Sequence, residues 1–205
     1  MKKNYILTFL GIIFLLVVFI FVGYFVLHLS SRLIRVIVVA VMIACGISYL
    51  LGRLLCFKRI NNLHQNGKYH ECICVARKVM KWYTSGKNDS GMHLVIAISQ
   101  FSLSNDEQFW NESEQVVDSR RIAEKCYWRT IFGVVINNQN LLTEQYQLFL
   151  AAVQNVQYAE LKNRLDLLIG IMNANDETQK KDLVEKAKTI FTNKRIQDYL
   201  EQLKF

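Results

Sequence analysis

Residues 4–31 contain no Asp, Glu, Lys or Arg, and within them residues 6–29 form an apolar run of 24. As a helix rising about 1.5 Å per residue, that run is about 36 Å long. The hydrocarbon core of a bilayer is roughly 30 Å thick, so the run is long enough to span it with some tilt. Met1-Lys2-Lys3 ahead of it suggests a secretory signal peptide. However, the run is longer than the usual apolar stretch of about 7–15 residues, and no small-x-small cleavage site follows. It is expected to be a membrane span.

A second apolar run covers residues 33–57, with Arg35 and Arg53 near its ends and 17 charge-free residues between them. The arginines can snorkel to the two interfaces. Residues 29–32 alone separate the runs, so they are expected to form an antiparallel transmembrane helical hairpin over residues 1–57. Lys2, Lys3, Arg53, Lys58, Arg59 and Lys68 lie on one side of it, against Arg32 and Arg35 at the tip. The positive-inside bias then places both termini, and all of residues 58–205, in the cytoplasm. The triplets Asn88-Asp89-Ser90 and Asn111-Glu112-Ser113 become chance glycosylation matches.

Charge follows the same division. Residues 1–57 carry five basic residues and no acid, while all 17 acidic residues lie beyond. The overall +8 therefore comes mostly from membrane-flanking positions, and no nucleic-acid partner is expected. The five cysteines (Cys45, Cys56, Cys72, Cys74 and Cys126) are odd in number and irregularly spaced, which fits a reduced compartment better than a disulfide framework. The Lys, Asn and Ile richness fits an AT-rich bacterial genome.

Within the second span Ala40, Ala44, Ser48 and Gly52 recur every four residues, making a small-residue stripe that lets another helix backbone approach closely. The stripe serves packing against the first span, self-association, or docking to another membrane protein.

Beyond residue 57, turn-forming clusters at 66–68, 104–106, 137–140 and 173–176 interrupt periodic apolar sequence. A second series of breaks falls between them, at 84–91, near Asp118, at 155–157 and at 192–193. A row of helical hairpins with a period in the mid-thirties leaves this alternation. The chain has no proline, where about 5% is usual, so long uninterrupted helices are expected. Leu161, Leu165, Leu168 and Met172 step at helical spacing, as do Leu183, Ala187 and Ile190. Thr143 and Asp176 sit where N-caps belong. Residues 94–98 and 130–136 are rich in β-branched side chains and are open to a strand reading, which would make the soluble part α+β.

Residues 67–79, with Gly67 and Tyr69 at the turn and Cys72, Ala76 and Val79 following, resemble the turn and second helix of a tetratricopeptide repeat. Cys72 stands where that family usually has Ala. The resemblance implies an all-α domain of stacked antiparallel helix pairs over residues 58–205, with an extended concave surface suited to peptides or helices.

Chemistry finds little support. There is no Walker A loop, GxGxxG after a strand, GxSxG elbow, HExxH or kinase signature. His70-x-Cys72-x-Cys74 is the one close ligand-type cluster, but a helix turns Cys72 away from the other two and no CxxC pair follows. Glu112, Glu114, Asp118 and Glu124 read as a solvated face, and Trp82-Tyr83, Trp110, Tyr127-Trp128 and Phe132 as repeat core or concave surface. No catalytic, metal or cofactor residue is expected. Residues 58–90 carry seven basic residues (Lys58, Arg59, Lys68, Arg77, Lys78, Lys81 and Lys87) against Glu71 and Asp89. Anionic lipid headgroups attract such a segment next to a span.

The expectation is a non-catalytic, membrane-anchored adaptor or scaffold that offers a helical-repeat surface to a protein partner. The alternative is an immunity or accessory factor whose hairpin acts on a membrane-embedded toxin or transporter.

Overall fold

A computed structural model describes residues 31–83, 89–153 and 158–203. The first apolar run (6–29), Lys87, the Trp82 and Tyr83 side chains and the breaks at 84–88 and 154–157 lie outside the described residues. Among the described residues the chain is all-α, with nine α-helices, a single 3-10 turn and no strand. It divides into two compact units, Met1–Leu55 and Cys56–Phe205, a boundary two residues before the one read from composition.

Helix α1 (Ser31–Gln65) runs 35 residues without a break, past the end of the apolar run at residue 57. Nothing in its sequence stops it sooner, since Lys58, Arg59 and the asparagines that follow are tolerated on an exposed helix face. Among the described helices, α1 is the one long and apolar enough to cross a membrane. Most of its large apolar side chains between 36 and 55 are exposed, Met42 by 65% and Leu55 by 66%, while Ile37 and Val38 are half-buried.

In the second unit, helices alternate with short turns: α2 (Tyr69–Tyr83), α3 (Ser90–Ser102), α4 (Asp106–Glu114), the 3-10 turn Ser119–Arg121, α5 (Ile122–Val135), α6 (Gln139–Ala152), α7 (Ala159–Asn173), α8 (Glu177–Ile190) and α9 (Lys194–Gln202). The strand alternative does not hold. Residues 94–98 lie inside α3, and 130–136 in α5 and its C-cap. Burial decided against β propensity: Ile96, Ile131 and Val134 are inside the core, and the Thr130 hydroxyl is satisfied by the Cys126 carbonyl at 2.8 Å.

Three of the turns share one construction. Helix α1 ends with Lys68 N–H donating to the Leu63 carbonyl (2.9 Å) and Gly67 N–H to that of His64 (3.1 Å). Helix α3 ends with Asn105 to Gln100 and Ser104 to Phe101, both at 3.0 Å. Helix α5 ends with Asn138 to Gly133 (2.9 Å) and Asn137 to Val134 (3.0 Å). Each is the Schellman pattern, with one residue in the left-handed region: Gly67 at φ 70°, Ser104 at 56° and Asn137 at 53°. The sequence signal pointed to Gly67 alone because Ser and Asn hide the same conformation. The fourth turn is different, with extended Ala174 and Asp176 capping α8 by accepting from Gln179 N–H at 2.9 Å. The cap of α6 is Asn138, which accepts from Leu141 N–H at 3.1 Å. Thr143 is instead interior to α6, and its hydroxyl donates back to the Gln139 carbonyl.

Two apolar clusters result. A small one joins Ile60 of α1, Cys72, Ile73, Ala76 and Val79 of α2, and Met92 and Ile96 of α3. The large one runs from Ala97 to Leu200. At its centre Phe109 packs 4.9 Å from Phe132 and 5.7 Å from Phe101, ring centre to ring centre. Helices α5 and α6 come very close: a Cβ on Gly133 would stand 2.9 Å from the Leu142 backbone nitrogen. Helix α9 does not simply extend the row. Asn193 Nδ2 donates to Ser102 Oγ at 2.6 Å, and the Arg195 guanidinium donates to the Phe101 carbonyl at 3.2 Å. Arg195 also pairs with Asp106 (2.6 Å) and lies 4.8 Å from the Phe101 ring centre. The end of the chain thus clasps the α3–α4 hairpin.

Candidate functional site

The first helices of successive hairpins bring separate side chains to one cleft of about 620 Å³ within the second unit. The end of α1 contributes His64 and Gln65, and Tyr69 opens α2 beside them. Helix α3 contributes Leu94 and Ile98, four residues apart and therefore on one face. From α5 come Glu124, Tyr127 and Trp128, and from α7 Leu161 and Arg164, again at helical spacing. Phe191 to Asn193 and Ile196, at the start of the α9 clasp, line another side. The wall mixes apolar and aromatic side chains (Leu94, Ile98, Tyr127, Trp128, Leu161, Phe191) with polar ones, among them His64, Glu124, Arg164 and Asn193.

Its charges are largely balanced inside the fold. Glu124 accepts from Arg121 at 2.7 Å, and Arg164 donates to Glu160 at 2.5 Å. Burial pushes the Tyr127 phenol up to about 12, partly opposed by Arg164. His64 stacks edge-on against Tyr69 with ring centres 5.4 Å apart, and burial holds its imidazole below the usual histidine value. Two nitrogens of the lining residues, His64 Nε2 and Arg164 Nε, are buried without a hydrogen-bond partner. Arg164 Nε is a donor and its unpaired burial is costly, whereas Nε2 of a neutral His64 donates or accepts according to the tautomer.

Of the residues singled out in the sequence, Tyr69 and the Tyr127-Trp128 pair reach the cleft, and Gly67 occupies the left-handed turn position beside Tyr69. Cys72 and Ala76 are fully buried; the Cys72 thiol is 3.6 Å from both the Ile60 carbonyl and the Ser99 hydroxyl, and burial raises its pKa. His70 and Cys74 are exposed, so the three ligand-type residues of that segment do not converge. Among the described residues no group of three or more His, Cys, Asp or Glu side chains could hold a metal ion. On α1, Ala40, Ala44 and Ser48 are exposed and Gly52 half-buried. Lys58, Arg59, Lys68, Arg77, Lys78 and Lys81 are all exposed.

Glu112 corrects the reading of a solvated face, while Glu114 is exposed as expected. Glu112 is largely buried and holds two partners, His93 Nδ1 at 2.7 Å and Arg77 at 3.2 Å, tying α2 and α3 to α4. Glu114 accepts from the Trp110 indole at 3.1 Å, and Asp118 caps the 3-10 turn through Arg120 N–H. Arg129, 8% exposed, lies 3.9 Å over the Trp110 ring and donates to Ser113 Oγ at 2.8 Å. The Arg77–Glu112 and Arg129–Trp110 contacts had no sequence signal, because their partners come from different hairpins. Leu161, Arg164 and Phe191 were invisible as site residues for the same reason.

Among the described residues the fold is all-helical, with one helix long and apolar enough to cross a membrane and a second unit bearing a cleft of mixed apolar and polar lining. No family model, curated protein or solved structure matches the chain.

Proposed function

We propose that the protein is a non-catalytic, membrane-anchored adaptor whose cleft takes an apolar segment of a protein partner. In this reading residues 6–29 and 33–57 both span the bilayer, the termini and the second unit are cytoplasmic, and the hairpins form a TPR-like row. The observation that carries it is the cleft itself. Leu94 and Ile98 on α3, Tyr127 and Trp128 on α5 and Leu161 on α7 turn aromatic and aliphatic surface toward a common space flanked by Glu124 and Arg164, an arrangement suited to binding a peptide. The three identical turns support the repeat reading, because equivalent backbone ends at positions 67, 104 and 137 give successive hairpins equivalent geometry.

A photo-crosslinking residue at position 161 in the full chain, expressed in its native membrane, tests the proposal. It should capture a discrete partner protein on the cytoplasmic side, and Ile98→Glu should abolish capture without lowering the melting temperature. Capture that survives Ile98→Glu but is lost with Ala44→Leu would shift the function to the α1 stripe and favour the immunity or accessory alternative. A partner exposed on the outer face would overturn the topology.

A further inference from the structure

The cleft holds a surplus of hydrogen-bond donors. Arg164 spends one nitrogen on Glu160 at 2.5 Å, an acid of its own helix that is 76% exposed, and its Nε is buried without an acceptor. An exposed pair one helical turn apart holds weakly. Tyr127 is 4% exposed, and burial pushes its pKa up to about 12, so the phenol keeps its proton at neutral pH. The Arg164 guanidinium is near enough to oppose that rise. Neither the Tyr127 hydroxyl proton nor the Trp128 indole N–H meets an acceptor among the described residues. The acceptors of the same lining are already engaged. Both Glu124 oxygens take the Arg121 guanidinium, at 2.7 and 2.8 Å, and Asn193 Oδ1 takes the Arg195 N–H at 3.1 Å. Gln65 and Thr192 are exposed.

An occupant that carried further N–H groups into this cleft would leave them unpaired, which is costly. One that carried a carboxylate would exchange the weak Arg164–Glu160 contact for a sheltered, charge-assisted one. An extended peptide brings a row of backbone N–H groups with it, whereas a helix satisfies its own backbone and presents side chains alone. We infer that the occupant is an amphipathic helix of the partner with an acidic residue set within its apolar face, its carboxylate received by Arg164 and Tyr127. The acid reaches these donors on its own stem, and apolar neighbours three and four positions away cover Ile98 and Leu161. The inference rests on the docking role of the cleft and adds the chemistry of the partner.

The full chain in detergent micelles is panned against a display library of one amphipathic helix, with the centre of its leucine face randomised to all residues. Asp and Glu should be enriched there about tenfold over Asn and Gln, the worth of a hydrogen bond to a charged group. Arg164→Glu should turn the preference to Lys and Arg, a gain that a misfolded variant cannot produce. Tyr127→Phe should shrink the acid preference while leucine-centred helices bind as before. Ile98→Glu should abolish capture of every helix. If no helix is captured, or capture survives Ile98→Glu, the docking role of the cleft fails and this inference with it. Capture that depends on Ile98 but selects apolar or basic residues at the centre would overturn the inference alone and leave the cleft a docking site. So would an acid preference unchanged by Arg164→Glu. Stronger capture of a copy of the library broken by a central proline would make the occupant extended and overturn the helix.

Discussion

At the scale of single residues, the left-handed turn positions are the most informative. Gly67 reaches φ 70° without a Cβ, and nothing lies within 4 Å of where one would be, so backbone strain alone decides a substitution there. Ser104 and Asn137 hold nearly the same φ with a side chain attached. Asparagine tolerates the region because its short polar side chain bonds locally; serine does so less well. Ser104→Gly should therefore stabilise the protein by about 0.5–1 kcal/mol, whereas Gly67→Val should destabilise it by about 1–3 kcal/mol. Denaturant midpoints at unchanged slope are the measurement. If Ser104→Gly lowers the midpoint, its side chain is making an unseen contribution and strain is not the controlling term. Gly133 is a different case, since its lack of a Cβ serves the close approach of Leu142 rather than a turn.

At the scale of elements, α9 does the least expected work. A nine-residue helix would be marginal alone. It is held by burial of Ile196 and Leu200 and by Arg195, whose guanidinium satisfies the Phe101 carbonyl and Asp106 while lying over the Phe101 ring. Arg195→Ala removes all three contacts and should cost about 1–3 kcal/mol, since the Phe101 carbonyl then loses a charged donor. Hydrogen exchange should speed in residues 194–202 while residues 56–83 keep their protection. Matching loss in both segments would mean that α9 supports the unit as a whole rather than the α3–α4 hairpin it clasps. The same helix carries Ile196 into the cleft wall, so the variant should also weaken capture at position 161.

At the scale of the whole molecule, the division of apolar packing into two clusters sets which part opens first. The small cluster around Cys72 holds the first hairpin, and α3 is shared between it and the large core. His64 belongs to this hairpin, and burial lowers its pKa, so folding favours the neutral imidazole. A depressed folded pKa contributes stability that is present above the unfolded value of about 6.5 and is lost as pH falls through the folded value. Acidification below about 6.5 should thus raise exchange in residues 56–83 before it affects α5 to α8. His64→Gln should flatten that pH dependence. Uniform acid loosening of both clusters would tie it to other groups.

Much of this architecture follows from local sequence. Apolar length makes α1 long enough to cross a membrane, and the absence of proline leaves helices free to run, as α1 does for 35 residues. The polar breaks at 66–68, 104–106, 137–140 and 173–176 each cover a junction between helices, because turn chemistry is local. Gly67 was readable for the same reason, and Asp176 as a cap. Other features depended on groups far apart in the chain. The β-branched runs at 94–98 and 130–136 were ambiguous until neighbouring helices buried them, since propensity is weaker than packing. Glu112 looked like solvated charge until the fold brought His93 and Arg77 to it. The cleft joins His64 to Ile196, and Arg195 joins the last helix to the second hairpin, pairings that no local pattern encodes. Sequence by itself determined where helices start, stop and become apolar, because backbone hydrogen bonds and side-chain periodicity act within a few residues. Which faces meet, and so where a partner could bind, was decided by tertiary structure, because contact between distant segments is a property of the packed chain alone.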